Sequence, residues 1–436
     1  KDILTVALEL ITPTATPEVR ICAYGMLPKL LRCVARQPAP HDTSSPSFGQ
    51  VAYNEAVRRL LAGLMREAEI VEQDESGSED SLEVLCVGLD TLSHVLEAGY
   101  NSQQRGDWTT MPLADDFVRS IMELLQRLML GTIQRRVTQQ QETEVLDDED
   151  NDLLERREEW EQSLMNSCQE ALGWLLRIKC EAAVPFFQAI LDPLVVQMLP
   201  EGNSLEVRLA GMCIYIDVLE FGGRLGAGVA GAVAPILLEF LRGEDEDARQ
   251  TGAYGVGVLA QYGGDALTPA LLVEVIPMLL ALILPPGEEK AAAAAAAAAK
   301  KLSNDAEDDE DFFDDDTDSY VRDNAISSVL RLCRYRGNMF DAQQLLQRGV
   351  LTWLPLKEDL REAQSCHAQF VEWAASGDPA LFGAQGEHLR AVVGVLASLM
   401  VDTRSDVERA AEARLVEDGD AEEEEDKMFE EQYVSK

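Results

Sequence analysis

The chain has 436 residues and a net charge of -41, from 78 acidic against 37 basic side chains. An excess of that size argues against direct nucleic-acid binding, which needs a basic footprint, and favours basic partners or plain solubility. It is 46% hydrophobic but only 6% aromatic, a balance that suits close-packed helices better than a β-sandwich, and its length allows two or three domains or one extended array.

Helical periodicity divides the chain into hairpins, each a first helix followed by a second. In chain order the expected pairs are 1–11 with 18–36, 51–66 with 82–98, 115–138 with 160–178, 184–198 with 205–221, 229–242 with 246–262, 271–284 with 320–336, 342–354 with 358–375, and 388–401 with 405–415. Shorter irregular loops are expected at 37–48, 72–80 and 99–112. Several first helices carry an internal proline, as in "PFFQAILDPLVVQML", "APILLEFL" and "VIPMLLALIL".

Second helices share a local pattern of acidic or polar residue, apolar residue, arginine: Glu18-Val19-Arg20, Glu206-Val207-Arg208, Asp247-Ala248-Arg249, Tyr320-Val321-Arg322 and Asp359-Leu360-Arg361. In the first four, a small residue and two apolar residues follow along one helical stripe: Ala23, Leu27, Leu30; Gly211, Tyr215, Val218; Gly252, Val256, Leu259; Ala325, Val329, Leu332. The fifth breaks the stripe with Gln364. A two-helix unit recurring at about 40 residues is the HEAT or armadillo signature. One such hairpin cannot bury its stripe alone, so the expected fold is all-α: an α-solenoid of about eight or nine HEAT hairpins forming a curved superhelix.

Composition marks the domains: HEAT repeats over 1–140, 160–284 and 318–415, an acidic insertion at 141–159, an alanine-rich and acidic disordered insertion at 285–317, and an acidic disordered tail at 416–436. The first residue is Lys1 and not methionine, so the sequence reads as part of a longer protein. No signal peptide is visible, and the apolar run Ala270 to Leu284 carries Glu274 and Pro277 and is short for a bilayer span.

Candidate chemistry is sparse. Gly255-Val-Gly257-Val-Leu-Ala260 is a formal dinucleotide fingerprint with Glu274 downstream, but the residues before it have helical periodicity where that motif needs a strand. The eight cysteines form no C-x-x-C pair and read as free, buried thiols of a reducing compartment, and the four histidines are scattered. Cys366-His367 is the one Cys/His adjacency, and neighbours in a helix point to different faces. No catalytic, cofactor or metal site is expected, and the chain reads as a non-enzyme. The one candidate binding segment is the acidic run Asp147, Asp148, Glu149, Asp150 and Asp152, which is either a solvated connection or an electrostatic surface for a basic partner.

The words "DARQTGAYGVGVLAQYGGD", "GMCIYIDVLEF", "LTWLPLKEDLREA", "EVRICAYGMLPKLLRC" and "DDEDND" resemble, in order and spacing, the importin-beta (karyopherin-beta) family in its importin-five branch. The match falls on the C-terminal portion of such a receptor, from which the alanine-rich insertion and the acidic tail depart. The resemblance implies a nuclear transport receptor moving between cytoplasm and nucleus. It would hold basic cargo such as ribosomal proteins or histones, bind Phe-Gly nucleoporins, and release cargo to Ran-GTP mainly through repeats N-terminal to this chain. No nucleic acid, membrane or cofactor is implied, and no Ran-contact residue is carried over. A HEAT-repeat scaffold, or a histone-chaperone-like protein outside nuclear transport, is the alternative.

Overall fold

A computed structural model describes residues 2–12, 14–35, 48–73, 79–106, 113–142, 148–283, 316–347 and 349–401. Among these residues every regular element is a helix. The chain forms two units, Lys1–Leu237 with Tyr262–Ala266, and Leu238–Gln261 with Leu267–Lys436.

In the first unit the hairpins are α1 (Asp2–Leu10) with α2 (Pro17–Ala35), α3 (Phe48–Gln73) with α4 (Glu79–Gln104), α5 (Asp115–Glu142) with α6 (Asp148–Ile190), and α7 (Asp192–Met198) with α8 (Leu205–Phe221). Helix α2 packs on α4, α4 on α6 and α6 on α8, while α1 packs on α3 and α3 on α5. First and second helices therefore form separate layers, as stacked HEAT hairpins do. The second helices run parallel, because contacts between α4 and α6 advance together from Cys86 with Trp160, through Asp90 with Ser167, to Tyr100 with Trp174. Leu89, Leu92 and Leu96 of α4, Leu172, Leu175 and Leu176 of α6, and Ile214 and Leu219 of α8 are fully buried. Each contributes about 1.5–3 kcal/mol relative to an exposed side chain.

A short α9 (Gly223–Gly226), a 3₁₀ turn (Ala227–Val229) and α10 (Ala230–Arg242) follow. Residues Gly223–Arg242 are long and apolar enough to cross a membrane by length and composition. The stretch is broken by the 3₁₀ turn, and Val233, Leu237 and Phe240 within it are buried inside protein.

The second unit contains α11 (Glu246–Tyr262), α12 (Pro269–Ile283), α13 (Asp316–Arg336), α14 (Ala342–Gln347), α15 (Leu360–Ala375), α16 (Pro379–Phe382) and α17 (Leu389–Val401). Helix α12 packs on α13 and α13 on α15. Helix α11 meets α13 where Ser328 Oγ donates to the Ala253 carbonyl at 2.5 Å. A Cβ on Gly257 would stand 2.5 Å from that hydroxyl oxygen, so glycine is what permits the approach.

In two repeats the recurrent arginine holds the end of the preceding helix. Arg208 Nε donates to the Leu199 carbonyl at 3.0 Å and Arg322 Nε to the Ile283 carbonyl at 3.3 Å, in each case at the end of the preceding first helix. Such carbonyls lack intrahelical partners, and a cation there also suits the helix dipole. The acidic position caps its own helix at Asp359, whose Oδ1 accepts from Glu362 N at 3.0 Å; in the third repeat Asp245, two residues before that position, accepts from Ala248 N at 2.9 Å instead. The small-then-apolar stripe is buried throughout except at Leu30, which is half-buried.

Several expectations are corrected. The helices expected at 160–178 and from 184 are one helix, α6, bent at Lys179 (φ -133°, ψ 38°), because a kink replaces the expected turn. The first helix expected at 342–354 is broken into α14 and a 3₁₀ turn at Val350–Trp353, separated by Gly349 at φ 104°, a conformation that ends the α-helix. Helix α5 extends to Glu142 and α6 begins at Asp148, so residues 148–159 belong to the helix of the hairpin itself. Cys22 and Cys33 are exposed instead of buried, since both lie on the outward face of α2. The segments at 284–315 and 402–436, which include the expected helix 405–415, lie outside the described residues.

Candidate functional site: a partner-binding surface

Asp147 lies outside the described residues. Asp148, Glu149, Asp150 and Asp152 occupy the opening turns of α6. Carboxylates at a helix N-terminus are favoured by the macrodipole, which gives this acidic run a structural reason beside any functional one.

The dinucleotide fingerprint is mid-helix. Residues 246–254 are already α11, and Gly252, Gly255 and Gly257 are buried among helices. There is no strand-to-helix turn at which a pyrophosphate could sit. The Cys366-His367 adjacency is likewise divided: burial pushes the Cys366 thiol up to about 12, while His367 Nε2 accepts the Leu356 N–H at 3.0 Å. Burial also pushes Cys86 and Cys333 up to about 12, which keeps these thiols protonated and unreactive. Among the described residues no group of three or more His, Cys, Asp or Glu is placed to hold a metal ion.

What the fold does assemble is a polar and aromatic edge on the second-helix layer of the first unit. Ser167 Oγ of α6 donates to Asp90 Oδ1 of α4 at 2.6 Å. Tyr100 of α4 and Trp174 of α6 stand with ring centroids 5.9 Å apart. Arg177 lies 4.7 Å from the Trp174 ring and 3.9 Å from the Phe221 ring of α8. Asp217 of α8 packs over Gly173, where a Cβ would come within 3.2 Å of Oδ2. Burial, reinforced by Glu220 and partly offset by Arg177, pushes the Asp217 carboxyl up to about 7. None of these residues was singled out from sequence, because nothing local distinguishes them; only the register between helices brings them together.

In the second unit the comparable polar groups are consumed by structure. Glu362, Arg331 and Ser327 form a buried cluster, with Arg331 donating to Glu362 at 2.8 Å and the Ser327 hydroxyl donating to the same carboxylate. Asp323 Oδ2 accepts the N–H groups of Lys357, Glu358 and Asp359 at 3.1, 2.8 and 3.1 Å.

No family model matches the chain. A probable importin-5 homolog of Dictyostelium discoideum is 26% identical over 200 residues, which make up 45% of this chain and 17% of that protein. The fold is similar to that of the karyopherin Kap121p bound to the SUMO protease Ulp1p, with a TM-score of 0.58 at 16% identity over 90% of this chain and 32% of that one. Kap121p bound to Nup53p gives a TM-score of 0.58 at 16% identity over 89% and 29% of the two chains. The chain thus spans less than a third of the length of these karyopherins. Layered parallel second helices and this likeness define the class as a HEAT-repeat α-solenoid. Over the 200 matched residues the sequence is also similar to that of the importin-5 homolog.

Proposed function

We propose that the chain is the C-terminal part of a nuclear import receptor of the importin-five branch. It carries basic protein cargo, such as ribosomal proteins or histones, through the nuclear pore between cytoplasm and nucleus, and releases it under control of Ran-GTP. The observation that carries this reading is the sequence likeness to the importin-5 homolog, set within a fold that follows Kap121p over nine-tenths of the chain. Kap121p bound to Nup53p and to Pho4p supports a nucleoporin and a cargo as the two kinds of partner. The net charge of -41 supports basic cargo.

Pull-down by the full-length receptor tests it: basic cargo and Phe-Gly peptides should bind, and Ran-GTP should release the cargo. Indifference to Ran-GTP together with a constitutive partner would favour a HEAT-repeat scaffold instead. Within this chain, neutralising Asp147, Asp148, Glu149, Asp150 and Asp152 to their amides should weaken basic-cargo binding by about three- to tenfold at low salt and flatten its salt dependence. Unchanged affinity would reduce the acidic run to the start of a helix.

A further inference from the structure

Helices α4, α6 and α8 each bring one aromatic ring to the same edge of the first unit. Tyr100, Trp174, Arg177 and Phe221 form a continuous row of planar groups across them, the three rings half-buried and the guanidinium exposed. Arg177 is thus the cationic filling between two rings from neighbouring helices. Carboxylates flank the row. Asp217 lies one turn before Phe221 and rests on α6 at Gly173, Glu220 adjoins Phe221, and Glu97 is within a turn of Tyr100. Glu220 acts on Asp217 more strongly than Arg177 does. A cation on an exposed ring face is held weakly, and Arg177 can leave by rotating its own side chain.

We propose that Arg177 occupies the seat of a guest: the slot between Trp174 and Phe221 receives an arginine side chain from a basic protein segment, while Arg177 swings into solvent. The incoming guanidinium stacks between the rings and pairs with Asp217 and Glu220. Its planarity suits ring faces and forked carboxylate pairing at once, whereas a lysine ammonium offers only a point charge, so the slot prefers arginine. This rests on the reading of the chain as a receptor for basic cargo and adds to it a location and a side-chain preference.

The test is a fluorescence-anisotropy titration of the whole 436-residue chain with labelled oligo-arginine and oligo-lysine peptides of equal length. The unmodified chain should bind the arginine peptide several-fold more tightly than the lysine peptide. Trp174→Leu and Phe221→Leu keep apolar bulk and lose the ring face. Each should weaken arginine-peptide binding about three- to tenfold and erase the preference. Arg177→Ala should tighten binding about threefold beyond Arg119→Ala, which removes the same charge from a guanidinium 4.9 Å above Phe186 on α5 and α6. Circular dichroism melts establish that each variant folds. Should a leucine variant unfold, the near-isosteric Asp217→Asn gives a second reading, with an expected loss of about threefold. A preference that survives in the folded variants, or Arg177→Ala behaving like Arg119→Ala, overturns the slot and leaves the receptor reading standing. Failure of the unmodified chain to bind either peptide overturns both.

Discussion

Arg20 of α2 and Glu67 of α3 form a bidentate pair, with Arg20 Nη1 2.7 Å from each carboxylate oxygen and side chains only 8% and 2% exposed. At that burial the cost of removing two ions from water competes directly with their attraction. The balance is visible in Glu67 itself: burial raises its pKa, and the opposing pull of Arg20 does not bring it back to the ordinary value. A carboxyl raised in the folded state contributes stability that is full below its unfolded pKa of about 4.5 and is lost as pH rises through the folded value. At neutral pH the pair therefore positions α2 against α3 without a large net gain. Glu67→Ala leaves a buried, uncompensated guanidinium and should cost about 3–5 kcal/mol. Replacing both partners by apolar side chains, Arg20→Met with Glu67→Leu, should cost less than either single change and could be neutral. Hydrogen exchange over Pro17–Ala35 and Phe48–Gln73 reads the local opening energy without assuming that the whole chain unfolds in one step. A double variant as unstable as the sum of the two single variants would refute the reasoning.

Gly257→Ala should destabilise α11 against α13 by about 1–3 kcal/mol, because the Cβ would also come within 3.2 Å of Ser328 Cα, and this overpacking exceeds the helix-propensity gain. Gly25→Ala, whose Cβ meets nothing within 4 Å in α2, should instead stabilise by about 0.5–1 kcal/mol; thermal melts of the two variants should move in opposite directions. Asp323→Ala removes the acceptor of three backbone N–H groups and should cost about 3 kcal/mol, read as faster exchange of the Lys357, Glu358 and Asp359 amides. The Asp217 carboxyl, raised from 3.8 to about 7 by burial and Glu220 against Arg177, should make the α6–α8 contact lose stability as pH rises between those values. Its full shift corresponds to about 4 kcal/mol, which partial exposure reduces to about 1–2, and Asp217→Asn should abolish the slope in hydrogen exchange over α8.

The second-helix pattern was legible because its chemistry is local. The stripe follows helical spacing and an acid caps the helix start at Asp245 and Asp359, so both are written within about fifteen residues, whereas the carbonyl that Arg322 reaches lies 39 residues away. A break after residue 178 was legible, but its form was not: the chain bends at Lys179 and the helix resumes at once instead of turning back. The Tyr100–Trp174–Arg177–Phe221 row was hidden more deeply. Its members come from three hairpins of unequal length, so no fixed spacing links them, and only the parallel register of α4, α6 and α8 makes them neighbours. Charge density instead drew notice to the acidic run, of which Asp148, Glu149, Asp150 and Asp152 fall in the opening turns of α6.

The disposition of the arginines sharpens the case for a basic partner. Arg20, Arg59, Arg127, Arg135, Arg242, Arg331 and Arg334 form ion pairs with carboxylates of the chain itself, and Arg208 and Arg322 hold helix ends. These nine arginines are engaged within the fold, while 78 acidic side chains stand against 37 basic ones in the whole chain. Attraction by those carboxylates is screened beyond about 8 Å at physiological ionic strength, so it can gather basic segments but cannot by itself distinguish them. Stacking at Trp174 and Phe221 is short-ranged and depends on the shape of the cation. Raising salt should therefore weaken binding of oligo-arginine and oligo-lysine in parallel while leaving their ratio nearly constant. A ratio that collapses towards one as salt rises would show that charge density alone, and not the aromatic row, selects the partner.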